Sequence, residues 1–211
     1  MLDLTGVDED TLIDSFYLLT NESCSIETLI CSKSSHLNVL NGLSLKEAIQ
    51  NNISLVYLDI SSNRQMGDKT LKGIIKQICL HPKLSSVNLS DTNVPKDSSA
   101  LVKKMIMTNK NIKTLDLSSN LNIDDSFAQE IFNAKSTSLV TLNLASCSIN
   151  DDSISFVEEF IRNNKFIEVI NLSENKISEK GTKKLLNLKA NGVSVNISNQ
   201  KKNTWFGSFF S

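Results

Sequence analysis

Apolar residues along this chain recur in two alternating rhythms. Five segments read L-x-x-L-x-L-x-x-N/C or close to it: LVYLDISSN (55–63), LSSVNLSDT (84–92), IKTLDLSSN (112–120), LVTLNLASC (139–147) and IEVINLSEN (167–175). Their first apolar positions, Leu55, Leu84, Ile112, Leu139 and Ile167, lie 29, 28, 27 and 28 residues apart. Self-similarity in phase at that spacing marks a repeat array. Inside each segment the period is two, as in a strand with one buried face. Between segments it lengthens to 3.6, as in DDSISFVEEFIRNN (151–164), where Ile154, Val157 and Ile161 share a helical face. Each repeat is therefore predicted to be one strand followed by one helix.

Weaker copies extend the register: Leu2 and Leu4 at the start, IETLIC from Ile26, and Val195 and Ile197 near the end. About eight repeat units of 27–29 residues result. One strand and one helix cannot hide their apolar faces alone, whereas stacked neighbours share a continuous core. The predicted fold is an α/β solenoid with parallel strands on the concave face and helices on the convex face. Helices are wider than strands, so stacking should bend the array into a horseshoe arc. The repeat domain is expected over 1–198, and 199–211 is expected to be an aromatic C-terminal tail or cap. The first copy opens in mid-strand, which fits a chain that starts abruptly or one cut from something longer.

Asp68, Asp97, Asp124, Asp151 and Ser178 stand where helices should begin and are expected to act as N-caps. The ninth repeat position (Asn63, Asn120, Cys147, Asn175) sits where the chain leaves the strand, and an amide there can satisfy loop backbone groups that have no ladder partner. Thr92 departs from the rule and is expected to loosen one loop.

These segments and this period resemble the ribonuclease-inhibitor type of leucine-rich repeat over nearly the whole chain. The resemblance implies a horseshoe that binds protein partners on the concave sheet, its rims or its flanking loops, in some members as an inhibitor. The Asn- and Ser-rich, Gly- and Pro-poor composition also resembles, in style, the leucine-rich-repeat effectors of intracellular bacteria such as Legionella. That implies a cytoplasmic protein, or one delivered into a host cytosol.

Strand alternation places the intervening residues on the concave surface. One column runs Thr28, Tyr57, Ser86, Thr114, Thr141, Val169, Ser194. The next runs Asp3, Ile30, Asp59, Asn88, Asp116, Asn143, Asn171, Asn196, and a third of small residues includes Ser32, Ser61, Ser90 and Ser118. Asp91 and Glu174 should lie beside them, with Lys33 as the nearest base. This polar, mildly acidic surface suits a protein partner with exposed Arg or Lys, and Tyr57, the single aromatic in the columns, is the best anchor. The expected contact set is Tyr57, Asp59, Ser61, Asn88, Asp91, Thr114, Asp116, Thr141, Asn143, Asn171 and Glu174. The same residues also supply solubility and strand-end hydrogen bonds in a generic repeat.

The chain carries 22 basic and 23 acidic side chains, so there is no footprint for nucleic acid or an acidic membrane. No run of about 18 apolar residues suggests a membrane span. Cys24, Cys31, Cys79 and Cys147 show neither CxxC spacing nor pairing with His36 or His81, and are expected to be buried free thiols rather than metal ligands or redox partners. Catalytic signatures are absent, and as nucleophiles Cys31 would occupy an inward apolar slot and Cys147 the buried Asn/Cys slot, neither beside an evident histidine. The Asp pairs at 124–125 and 151–152 fall at equivalent helix starts, where capping is the simpler role. No catalytic residue, cofactor or metal is expected, and the unbound chain is expected to be monomeric. Lys103, Lys104, Lys183, Lys184, Glu158 and Glu159 should form a solvated convex face. The tail gathers Trp205, Phe206, Phe209 and Phe210, either as a lid on the last repeat or as a hydrophobic docking element. Two roles remain: an interaction module that grips a protein and occludes a functional surface, or a substrate-recruitment segment of a larger effector or scaffold.

Overall fold

The computed structural model describes residues 1–21, 23–187 and 192–201. Eight strands, β1 (Leu2–Asp3), β2 (Thr28–Ile30), β3 (Tyr57–Asp59), β4 (Ser86–Asn88), β5 (Thr114–Asp116), β6 (Thr141–Asn143), β7 (Val169–Asn171) and β8 (Ser194–Asn196), form one sheet in chain order. Every neighbouring pair is parallel, and the register aligns each repeat on the next: Tyr57 beside Ser86, Ser86 beside Thr114, Thr114 beside Thr141. Among the described residues seven α-helices alternate with the strands: α1 (Glu9–Leu19), α2 (Asn41–Asn51), α3 (Asp68–Leu80), α4 (Ser99–Thr108), α5 (Asp125–Phe132), α6 (Ile154–Asn163) and α7 (Glu179–Asn187). No helix of the described residues is long and apolar enough to cross a membrane.

The sheet is buried on one face only. In β2 to β7 the central residue (Leu29, Leu58, Val87, Leu115, Leu142, Ile170) is buried and its two neighbours are half-exposed. The helices therefore all pack on the side to which these residues point, against one continuous core of Leu, Ile and Val with Phe16, Phe127, Phe132 and Phe160. Strands repeat at about 4.8 Å and packed helices at about 8–10 Å, which is why a one-sided stack of this kind curves. Close packing leaves its mark at Gly42 in α2, where a Cβ would stand 2.5 Å from the Thr70 methyl of α3.

The short strands leave backbone groups unpaired at both ends, and two buried polar columns take them up. In the first, Asn120 donates from Nδ2 to the carbonyls of Leu117, Ser118 and, one repeat back, Leu89. Its Oδ1 accepts from the amides of Thr92 and Val94. Asn63 and Asn175 repeat the pattern, and Gln200 extends it by donating to Leu172 and accepting from Ile177. Cys147 holds the same slot through weak Sγ contacts at 3.6 Å. The loosening expected at Thr92 does not occur: its hydroxyl donates to the Leu89 carbonyl at 2.7 Å and the residue is buried. A hydroxyl reaches one carbonyl as well as an amide does, and Asn120 of the following repeat satisfies the rest.

The second column lies where each helix returns to its strand, three residues before the first apolar residue of the repeat segment (Leu55, Leu84, Ile112, Leu139, Ile167): Asn52, His81, Asn109, Ser136 and Asn164, all buried. Asn109 donates to the carbonyls of Ile78 and His81, and Asn164 to those of Ala134 and Phe160. His81 accepts at Nδ1 from the amides of Lys83 and Leu84, so its proton sits on Nε2, which donates to the Asn52 carbonyl at 2.7 Å. Burial lowers the pKa of this imidazole, and protonating Nδ1 would oppose two amide hydrogens. The unfolded chain thus binds a proton that the folded chain refuses, and stability falls as pH drops through and below the unfolded value of about 6.5. We expect the unfolding free energy to decline between pH 7 and pH 5, by at most about 1.4 kcal/mol per pH unit for one proton. A His81→Asn variant, carrying the residue of the neighbouring repeats, should fold and show a flatter profile; equal slopes in urea titrations would assign the loss to other groups.

The helix starts differ in part from expectation. Asp124 does cap α5 by accepting from the Phe127 amide, and Ser178 accepts from that of Gly181. Asp68 makes no cap bond, since Gly67 precedes α3 at φ 74°. Asp97 lies within a 3-10 turn (Lys96–Ser98) and pairs with Lys72, while Asp151 opens another (Asp151–Ser153) and accepts from the amide and hydroxyl of Ser178. These carboxylates face the adjacent repeat, so a base or a hydroxyl there competes with the local amide. Lys96 with Asp124 and Lys103 with Glu130 continue the same style of inter-repeat pairing.

Each repeat also turns out of its strand through a left-handed residue: Lys33, Ser62, Asp91, Ser119, Ser146, Glu174 and Asn199 have φ of 52–59°. A β-branched side chain is poorly tolerated there. Ser119→Val should cost about 1–3 kcal/mol in chemical denaturation. A change below about 0.3 kcal/mol would show that this turn relaxes freely.

Candidate functional site

Strand register assembles the anticipated columns side by side. Tyr57, Thr114 and Thr141 fall in the first, and Asp59, Asn88, Asp116, Asn143 and Asn171 in the second, all half-exposed on the open face of the sheet. Ser61 follows in the third. Asp91 and Glu174 lie one residue beyond it, in the left-handed turns.

The second column is already at work within the fold. Each of its members from Asp59 to Asn196 accepts at Oδ1 from the amide two residues on, closing the strand end. The second carboxylate oxygen of Asp59 accepts from Asn88 and from the Tyr57 phenol at 3.3 Å, and that of Asp116 accepts from Asn143 at 2.7 Å. Burial first, and then the Asp59 carboxylate, raise the Tyr57 pKa, so the phenol stays protonated as a donor. These bonds fix the polar side chains in place before any partner arrives. Tyr57 apart, the first column stays out of this network: Thr114 and Thr141 carry short hydroxyl side chains that close no strand end.

Two acids are less available than their positions suggested. Asp91 is paired with Arg64, a base the repeat pattern gave no reason to single out, and Glu174 accepts from the Ser146 hydroxyl. Arg64 belongs to the 3-10 turn Arg64–Met66 at the rim of the sheet. Its guanidinium is nearer to Asp91 than the lysine at position 33. The columns themselves hold carboxylates at Asp3, Asp59 and Asp116 and no lysine or arginine, so the face is net negative.

Elsewhere the titratable groups are tied into the architecture. Asp125 accepts from the Asn150 amide and the Ser153 hydroxyl, and Asp124 pairs with Lys96. All four cysteines are free thiols; Cys31, Cys79 and Cys147 are buried and Cys24 is half-buried. Burial pushes the Cys147 thiol up to about 12 and raises those of Cys31 and Cys79, the opposite of what a nucleophile needs. A thiol-reactive reagent should therefore label Cys24 rapidly and the other three only on unfolding. Fast loss of a second thiol in the native chain would show that a repeat opens locally. Trp205, Phe206, Phe209 and Phe210 lie outside the described residues.

A family model described as Leucine Rich repeat matches residues 51–74 and 135–156. A comparison with curated proteins returns no match. Among solved structures, a Bacteroides fragilis protein superposes with a TM-score of 0.57 at 14% identity, over 93% of this chain and 63% of that one. An internalin from Listeria monocytogenes gives 0.48 at 14% identity over 84% and 48%, and the actin-binding site 2 of leiomodin-1 gives 0.43 at 11% over 74% and 78%. The chain thus spans under two thirds of the Bacteroides protein and about half of the internalin. The fold is a leucine-rich-repeat solenoid of about eight repeats.

Proposed function

We propose that this solenoid is a protein-interaction module whose partner lies across the open face of the sheet, with Tyr57 near the centre of the contact. A helix in nearly every repeat and a strand-to-strand offset of 27–29 residues through the central repeats favour the ribonuclease-inhibitor type. The observation that carries the reading is the hydrogen-bonded second column. Asp59, Asn88, Asp116 and Asn143 present polar atoms on a rigid sheet with their rotamers already held, so a partner need not bear the entropy of ordering them. Three carboxylates and no base in the columns favour a partner with a basic surface, and its association should weaken as salt rises. Binding of this kind can act by occlusion, covering a partner's own active or docking surface.

The test should spare the strand ends. Asp59 and Asp116 are poor choices for charge reversal because each closes a turn, whereas Thr114 and Thr141 make no such bond. We expect Tyr57→Ala/Thr114→Arg/Thr141→Arg to keep the native unfolding transition and to lose a specific partner by at least about tenfold in quantitative affinity capture. A partner retained at full strength by this variant would remove the concave face from consideration. If a purified partner keeps its activity when saturated, occlusion is discarded while binding stands.

A further inference from the structure

The charges of this chain nearly cancel in total, at 22 basic against 23 acidic side chains, but not along its length. Residues 1–32 hold seven carboxylates and no lysine or arginine, whereas residues 176–202 hold seven lysines and one carboxylate. The first repeat is acidic and the last is basic.

The acidic end also exposes apolar surface on its convex side. Asp10, Ile13, Asp14 and Tyr17 follow i, i+3, i+4, i+7 spacing on one face of α1 and are all exposed, Tyr17 by 77%. Ile13 and Tyr17, with Phe16, Ser44 and Glu47, line a shallow groove of about 140 Å³ between α1 and α2. Leu40, 73% exposed, and Leu43 lie at the start of α2. An apolar trough edged by carboxylates calls for an occupant that is both apolar and basic.

We propose that this groove receives the segment from Lys201 to Phe210 of a second copy, so that the chains associate head to tail. The segment opens with two lysines and carries Trp205, Phe206, Phe209 and Phe210 within the next eight residues, matching both the charge and the apolar character of the groove. A chain cannot fill its own groove. From α7 back to α2 there are five helix-to-helix steps, about 40–50 Å at 8–10 Å each. The ten residues beyond Lys201 span at most about 35 Å fully extended. The contact joins two different surfaces, so each added copy leaves one groove and one segment open, and the assembly grows as a string. This departs from the monomer expected from the sequence, and it is independent of the concave-face reading because none of the residues involved lies on the sheet.

The experiment is sedimentation velocity on the full 211-residue chain over about 1–200 µM, the range in which small contacts of this kind associate. The weight-average mass should at least double across that range at about 50 mM salt and stay near the monomer at about 500 mM. Ile13→Lys/Tyr17→Lys, two exposed positions, should abolish the rise, as should Trp205→Ala/Phe209→Ala. Mixing the two variants should restore a dimer and nothing larger, because each keeps the half that the other lacks. A monomer at every concentration overturns the proposal, as does association that survives the groove substitutions. If the tail substitutions lower thermal stability and the wild type stays monomeric, the aromatics serve as a lid on their own last repeat.

Discussion

Replacing Asn120 by alanine is expected to lower the unfolding free energy by about 3–5 kcal/mol, a large share of the roughly 5–15 kcal/mol that holds a domain folded. The side chain is fully buried and partners five backbone groups, three carbonyls and two amides. Each group left without a partner costs about 1–3 kcal/mol, less what entering water returns. Asn120→Asp should be no better, because it removes the donor that serves three carbonyls and buries a charge among them. Asn120→Thr should cost less, about 1–2 kcal/mol, since Thr92 shows that a hydroxyl in this slot still reaches its carbonyl. Urea titration followed by circular dichroism checks the ranking. A loss below about 1 kcal/mol for the alanine variant would show that water replaces the amide at little cost.

Phe160→Ala should cost about as much, 3–5 kcal/mol by the usual scale for buried aromatics, but its effect should be local. The ring is fully buried and meets Phe132 edge to face, centroids 5.5 Å apart, across the α5–α6 contact. In a solenoid each repeat touches only its neighbours, so a cavity at one interface weakens the coupling there while leaving distant interfaces intact. Repeats from α6 onward should then open ahead of those from β1 to β5. Hydrogen exchange would show amides of β7 and β8 losing protection while those of β3 and β4 keep it. Uniform loss of protection along the array would mean that the whole solenoid unfolds as one unit.

How far the sequence could be read follows from what its pattern encodes. Alternation within LVYLDISSN and its copies assigns each side chain to a face, and the parallel register places Tyr57, Ser86, Thr114 and Thr141 in one row as that alternation requires. Side-chain bonding between repeats is not written in a single repeat. The place of Asp151 just before a helix predicts a cap, yet it serves Ser178, twenty-seven residues on. Nothing in the repeat pattern pairs Asp91 with Arg64, which the fold brings beside it. The second buried column was legible in principle, because Asn52, His81, Asn109, Ser136 and Asn164 each precede the first apolar residue of a repeat segment by three residues. Its periodicity is masked because three residue types share the slot and only hydrogen bonding unites them. The concave residues are the reverse case: their rows and their strand-end role are plain in the sequence, but the bonds that tie Asp59 to Tyr57 and Asn88, and Asp116 to Asn143, are visible only in three dimensions.

The two buried columns have a direction. Asn63 reaches back to Cys31, Asn120 to Leu89, Asn175 to Leu144 and Gln200 to Leu172, while Asn109 reaches back to Ile78 and Asn164 to Ala134. A repeat is thus latched by its successor. During synthesis a repeat that has left the ribosome still lacks the amide that closes its turn, and must wait for about one further repeat to emerge. At about 5–20 residues per second, folding of the growing chain should trail translation by a few seconds at every step, with the newest repeat always the unlatched one.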